Sequence, residues 1–432
     1  MLTTRSHAKL VNVFSRQVFA SLLFIASALA QTDVFYSVPL ADAPELAARG
    51  PYAVGVRTLQ LTHTGQPDIL HFDKATGKAA VYDRPLTVEV WYPAALAAGQ
   101  TERTVYSMSL PGTSPKNFAV LGKASRDAAP VTGKGFPVVV VSHGYPGSRF
   151  FLSYLTENLA SKGYVVAAID HTDSVMGATG PFPSTLLNRE KDQLFTLDTI
   201  ARLSHAADSF LNGIADTTHA AIVGYSMGGY GALGSAGAPY SKAGVGAKAV
   251  PGDYFSELTA PMPHANSFQA MVAISPWGNQ PPQHSWDAAG LAAIHIPSLF
   301  IAGDQDDVSD FEHGILPAFN DSIHSDRCLL VYENARHNVG GNPPPPEALG
   351  TFTTREFFDE PVWRKDRITA INQHFITAFL DLVLKGDESR RAYLHPATVK
   401  ASDAKWGENY WKGFQRRWAL GLQMRCLAAA AN

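Results

Sequence analysis

The chain has 432 residues, 46% of them hydrophobic and 17% charged, with a formal net charge of −3. That composition supplies a folded core and excludes a disordered chain. Near-neutral charge with no block of Lys or Arg leaves no electrostatic footprint for nucleic acid, so the basic residues read as a solvated surface.

At the start, Arg5, Lys9 and Arg16 precede an apolar run from Val18 through Phe24 and Ile25 to Ala30, closed by Ala28-Leu29-Ala30. This charged, apolar, small order predicts a signal peptide over residues 1–30, cleaved near Ala30, and a mature chain that is secreted or periplasmic. No stretch reaches the ~18 apolar residues of a membrane helix, so no membrane span is expected.

Strand-like runs follow at 57–61, 86–92, 136–142, 164–169, 220–223, 270–275, 298–302 and 328–332. The later ones, such as Val138-Val139-Val140-Val141, are continuously apolar, as parallel strands covered on both faces must be. Between them lie helical patterns. Leu152, Leu155 and Leu159 share one face before Gly163, and Leu194, Leu197 and Ala201 share another before Gly213. Ile368, Ile371, Phe375, Phe379 and Leu382 make a third before Gly386. Strand and helix alternate, which predicts an α/β fold with a mostly parallel, doubly wound sheet of about eight strands. The first two strands lack an intervening helix and should pair antiparallel at an edge. The expected organisation is a catalytic domain over residues 31–386 and a C-terminal extension, 387–432, packed on it.

Three stretches break the alternation: 236–264, the loop 340–347 with its four prolines Pro343 to Pro346, and the tail with Trp406, Tyr410, Trp411, Phe414 and Trp418. Such insertions serve as lids or as surface decoration, and the tail aromatics fit core packing. Cys328 and Cys426 are the two cysteines. They could form a disulfide clipping the tail to a core strand or stay as separate thiols, and neither their number nor their spacing makes a zinc site.

The chemistry centres on Gly224-Tyr225-Ser226-Met227-Gly228, directly after the strand-like Ala220-Ala221-Ile222-Val223. A G-x-S-x-G turn between strand and helix is a nucleophile elbow, in which glycine two positions either side leaves room for a strained serine. The geometry lifts the hydroxyl above the sheet. In the α/β-hydrolase order of serine, acid, histidine, the acid belongs on the loop after 298–302. Asp304, Asp306, Asp307 and Asp310 compete there. Asp306 is preferred because it lies where the chain has cleared the strand, while Asp304 could cap the next helix. Among His313, His324, His337, His374 and His395, His337 is best placed, a few residues beyond the last strand. The oxyanion donors should be the N–H of Met227 and that of Tyr145, in the loop His143-Gly144-Tyr145-Pro146-Gly147.

Together these motifs resemble the secreted α/β-hydrolases related to dienelactone hydrolase and platelet-activating-factor acetylhydrolase. Gly50 to Gly55 and Pro85 to Pro93 are similar to the N-terminal strands of bacterial acetylhydrolase-like members. Cutinase-like polyester hydrolases are similar too, with an aromatic after His-Gly, a methionine after the serine and a tryptophan after the next strand. Here these are Tyr145, Met227 and Trp277. The resemblance implies Trp277 and Tyr145 as a substrate-binding wall, though a structural tryptophan fits equally. There are departures. Mammalian acetylhydrolases carry their acid after the strand following the elbow, where this chain has Ser275-Pro276-Trp277. Dienelactone hydrolase has a cysteine nucleophile.

The expected activity is cleavage of carboxylic esters (small-molecule, lipid-like or polyester) through an acyl-enzyme, with no cofactor or metal. The same residues could serve a peptidase or an acyltransferase, and a catalytically silent hydrolase fold could serve as a binding protein.

Overall fold

The valine- and alanine-rich runs in the middle of the chain become strands buried on both faces. The computed structural model describes residues 33–112, 116–260 and 267–431. The expected signal peptide and the end of the 236–264 insertion lie outside them.

A long hairpin, β1 (Ala53–Asp73) and β2 (Lys78–Ala95), opens the fold. A small separate ribbon follows, β3 (Thr104–Ser109) against β4 (Asn117–Gly122). The two-residue strands β5 (Ser125–Arg126) and β6 (Ala129–Pro130) precede β7 (Phe136–Ser142), α1 (Ser153–Ser161) and β8 (Val165–Asp170). A minor ribbon, β9 (Ser174–Val175) and β10 (Ala178–Thr179), leads into α2 (Phe182–His205). Then come β11 (Ala215–Tyr225), α3 (Met227–Ser235), α4 (Val245–Ala249) and β12 (Ala270–Ile274). The rest is α5 (Ala288–Ala292), β13 (Ser298–Gly303), α6 (Leu316–Asp321), β14 (Arg327–Tyr332), α7 (Phe352–Glu356), α8 (Lys365–Lys385), α9 (Arg391–Leu394) and β15 (Leu422–Leu427).

The main sheet runs β15-β14-β13-β12-β11-β7-β8-β2-β1-β5, with β6 beside β2, eleven strands among the described residues. From β14 to β8 the six central strands are parallel. The β1–β2 hairpin joins antiparallel through β2 to β8, and β15 joins antiparallel to β14. Eight strands match the expected ones, and three are additional: the two-residue β5 and β6, and β15. The last has one half-covered face and sits at the edge, where no long apolar run is needed.

Alternation along each central strand feeds two cores. Val139, Val141, Val223 and Ile301 pack with Leu155 of α1 and Ile371 and Phe375 of α8. Val138, Val140, Ile222 and Phe300 face the other way, onto Leu187 and Leu194 of α2 and Leu233 of α3. Helices on both faces explain the continuous apolar runs, since neither side of a central strand meets water. α8 ends at Gly386 in a left-handed cap (φ 67°), which a residue without Cβ takes without strain.

Beyond residue 386 the tail returns to the sheet. Trp411 and Phe414 are buried, and the Phe414 ring lies 5.1 Å from His374 and 5.8 Å from Phe375 on α8, whereas Trp406 is exposed. A disulfide joins Cys328 on β14 to Cys426 on β15. Among the described residues no helix is long and apolar enough to cross a membrane.

Candidate active site

Ser226 stands between β11 and α3 with φ 53° and ψ −113°, a left-handed conformation costing a non-glycine residue about 1–3 kcal/mol. Its surroundings hold it there. The Ser226 N–H donates to Ile274 O at 2.8 Å, and its carbonyl accepts from Trp277 N and Tyr230 N, each at 3.1 Å. The flanking glycines have no substitute. A Cβ on Gly224 would lie 2.2 Å from Gly228 O, and one on Gly228 would lie 2.0 Å from Ser142 O. β11, α3 and β7 can therefore converge at this turn only without those side chains.

His337 lies on the loop after β14, and its Nε2 is 2.9 Å from Ser226 Oγ. Its Nδ1 is 2.9 Å from Asp306 Oδ2 and 3.0 Å from Oδ1. All three residues are buried at the floor of the sheet's C-terminal edge. The histidine and aspartate loops touch at Gly303, where a Cβ would come 2.2 Å from Ala335 O and 2.4 Å from Arg336 O. Asp306 Oδ1 also accepts from Val308 N (3.0 Å) and Ser309 N (2.8 Å). Burial pushes its carboxyl upward, but the adjacent His337 and these two amides outweigh burial and hold it below the ordinary aspartate value.

The neighbouring acids are engaged elsewhere. Asp304 accepts from Asn334 N at 2.6 Å, Asp307 pairs with Arg336, and Asp310 caps the turn at His313 N. His313 is exposed, and His324 bonds the Ala292 carbonyl. His374 is buried in α8, where Leu46 N donates to its Nδ1. His395 closes α9.

The loop after β7 presses against the serine, and a Cβ on Gly144 would sit 3.3 Å from Ser226 Cβ. Met227 opens α3, so its N–H has no intrahelical acceptor. Tyr145 and Trp277 are both half-buried, and Phe182 links them edge-on, at 5.1 Å to Tyr145 and 5.3 Å to Trp277. A cavity of about 350 Å³ opens beside His337, lined by Val308, Asn338, Phe352 and Pro361 among others.

A PET hydrolase-like family model matches residues 129–266, which contain the 143–147 loop and Ser226 and stop short of Asp306 and His337. Cutinase est1 of Thermobifida alba is 26% identical over 203 residues, 47% of this chain and 53% of that protein. The platelet-activating factor acetylhydrolase of Cavia porcellus is 30% identical over 133 residues, 30% of this chain and 29% of that one. A ferulic acid esterase structure from Streptomyces cinnamoneus shares the fold with a TM-score of 0.52 and 20% identity, covering 80% of this chain and 94% of the other. The chain is an α/β-hydrolase related to the cutinase-like polyester hydrolases. It spans about half the length of the T. alba cutinase and less of the acetylhydrolase.

This α/β-hydrolase also holds residues that its sequence did not point to. Phe182, at the start of α2, completes the aromatic row, but one Phe between prolines carries no motif. Arg189, on α2, donates to His143 O at 2.7 Å and to Ser174 Oγ at 2.6 Å, tying the 143–147 loop to the helix behind it. Burial lowers the Arg189 pKa to about 9. Its signal would have been an arginine in the buried stripe of a helix, which needs a specific acceptor to be tolerated.

Proposed function

We propose that the chain is a serine hydrolase of carboxylic esters, with Ser226 as nucleophile, His337 as general base and acid, and Asp306 as the carboxylate that orients it. The observation that carries this reading is the unbroken hydrogen-bonded line from Asp306 through His337 to the hydroxyl of a left-handed serine between strand and helix. In the first half-reaction Ser226 Oγ bonds to the ester carbonyl carbon while its proton passes to His337 Nε2. Asp306 keeps the Nδ1 proton in place and stabilises the imidazolium. The carbonyl oxygen becomes an oxyanion facing the N–H groups of Met227 and Tyr145, and losing one such donor typically costs ~10²–10³ in turnover. Collapse breaks the bond to the alcohol oxygen, which takes the proton from His337. Water then repeats the sequence on the acyl-enzyme and regenerates Ser226.

The row Tyr145, Phe182 and Trp277 supports an apolar or aromatic acyl group, since ring edges and faces favour flat apolar partners. Polyester and small aromatic esters both fit that description, and the likeness to cutinases and the PET hydrolase-like model supports including polyesters. The order of residues 1–30 supports export, and the pairing of β15 with β14 supports counting residues 387–432 with the catalytic unit.

Incubation with a fluorophosphonate followed by peptide mass analysis tests the reading. It expects one adduct, on Ser226, and loss of p-nitrophenyl ester turnover in step with labelling. An unlabelled, folded chain would mark a binding protein instead, and faster cleavage of peptide amides than of esters would mark a peptidase.

A further inference from the structure

His337 makes its side-chain bonds to Ser226 and Asp306, so its direction depends on the backbone that carries it. Tyr225 on β11 donates to the His337 carbonyl at 3.4 Å, and the N–H groups on either side are gripped by one carboxylate. Glu360, buried in the turn between α7 and α8, accepts through Oε2 from Arg336 N at 2.8 Å and through Oε1 from Asn338 N at 2.6 Å. The two oxygens of one carboxylate thus take the N–H groups on either side of His337. Lys365, the first residue of α8, donates to the carbonyl of Asn338. The Asn338 side chain adds bonds to Glu356 O (2.5 Å) and Asp359 O (3.2 Å), and accepts from the Tyr225 hydroxyl at 3.2 Å.

This arrangement costs desolvation. Burial raises the Glu360 carboxyl above its ordinary value and lowers Lys365 to about 8, while the two amides and the facing charges pull each back toward its ionised form. A neutral side chain of the same shape could not do the same task, because glutamine presents one acceptor and one NH₂ donor to two N–H groups. Bonds to an ionised acceptor are about twice as strong as neutral ones, so the carboxylate stiffens the loop as well as satisfying it.

We propose that Glu360 is a positioning residue for the reaction, fixing the peptide groups on both sides of His337 so that the imidazole stays in line between Asp306 and Ser226. This rests on His337 being the base, as argued above. A misplacement of about 1 Å can cost ~10²-fold in rate, so Glu360→Gln should lower kcat on p-nitrophenyl butyrate by about 10- to 100-fold with KM within about twofold. Rates are taken per active site titrated with fluorophosphonate, which separates misalignment from loss of folded protein. The far-downfield proton of the His337–Asp306 hydrogen bond should broaden or move upfield in the proton NMR spectrum. Glu360→Asp keeps the charge but is one methylene shorter. It should retain one of the two bonds and a kcat between the other two, and it carries the test if Glu360→Gln does not fold. An unchanged kcat per titrated site in the folded variants overturns the proposal alone. A native chain inert to the phosphonate takes down the His337 reading and this proposal together.

Discussion

The molecule contains two serine–histidine–aspartate lines with nearly the same bond lengths. In Ser226–His337–Asp306 both bonds are 2.9 Å, and in Ser142–His171–Asp192 they are 2.8 and 2.9 Å. Their surroundings differ in backbone conformation and in the partners of the aspartate. Ser142 is the last residue of β7 and is fully buried, whereas Ser226 is turned out of its strand by a positive φ. Asp192 is held by a bidentate bond from Arg84, 2.9 Å at each contact, and Arg84 also reaches Asp173. Asp306 has two backbone amides instead. Burial and the Arg189 charge push His171 down to about 3, so near neutrality it keeps its neutral form and is a poor base. The same three side chains in the same order thus serve as framework behind the 143–147 loop in one place. In the other the serine stands on the turn after β11, 2.9 Å from a histidine that lines a cavity. Access and local charge, more than hydrogen-bond geometry, separate the two.

The sharpest test of this contrast is a pair of alanine variants. Ser226→Ala should reduce ester turnover by at least ~10⁴-fold, since a nucleophile acts as a unit with its base. Ser142→Ala should leave kcat within a few-fold and cost about 1–3 kcal/mol in urea unfolding, because it leaves buried His171 Nε2 without its partner. A stable Ser142→Ala protein without turnover would erase the distinction. The aspartates should divide the same way. Asp306→Asn should lower kcat by about 10³–10⁴-fold through the wrong imidazole tautomer, with little change in unfolding. Asp192→Asn should leave buried Arg84 with Asp173 as its remaining carboxylate and cost about 3 kcal/mol of stability.

The contrast also explains what could be read from the amino-acid order. Ser226 is legible because the turn excludes side chains at 224 and 228, which leaves a glycine pattern. Asp306 and Asp304 are both plausible by position, and only the fold assigns Asp304 to Asn334 N and Asp306 to His337. The buried line is not legible at all, because Ser142, His171 and Asp192 come from a strand end, a loop and a helix with no shared spacing. Glu360 is hidden for the same reason, since it acts on backbone N–H groups that any residues at 336 and 338 would supply. β15 and the β3–β4 ribbon are short and alternating, so they lack the long apolar runs that mark the central strands.

A smaller effect is the pH response of the buried line's histidine. His171 has a folded pKa near 3 against an ordinary 6.5, so below 6.5 the unfolded chain binds a proton that the folded chain refuses. Stability from this group is complete above pH 6.5 and is lost as pH falls toward 3. His143 and His374 are lowered in the same sense by burial. His171→Gln should therefore remove about 1.4 kcal/mol per pH unit from the acid slope measured by urea unfolding between those limits. An unchanged slope would mean that His171 is not held neutral, and the reason given for its silence would fail.

The smallest effect concerns what stands in front of each line. The aromatic row of Tyr145, Phe182 and Trp277 connects to Ser226 through the Trp277 backbone, while Ser142 is fully buried at the end of its strand. Trp277 supports Ser226 in two ways that a mutation can separate: its backbone N–H bonds Ser226 O, and its ring builds the row. Trp277→Ala keeps the first and removes the second. The left-handed serine should stay in place, and fluorophosphonate labelling should proceed within about twofold of the native rate. Esters of aromatic acids should lose about 5- to 12-fold in kcat/KM, in line with the ~1–1.5 kcal/mol of an aromatic contact, while acetate esters change little. An equal loss for acetate and benzoate esters would assign the ring to holding the elbow. The row would then belong with Arg84 and Asp192, as framework behind the site.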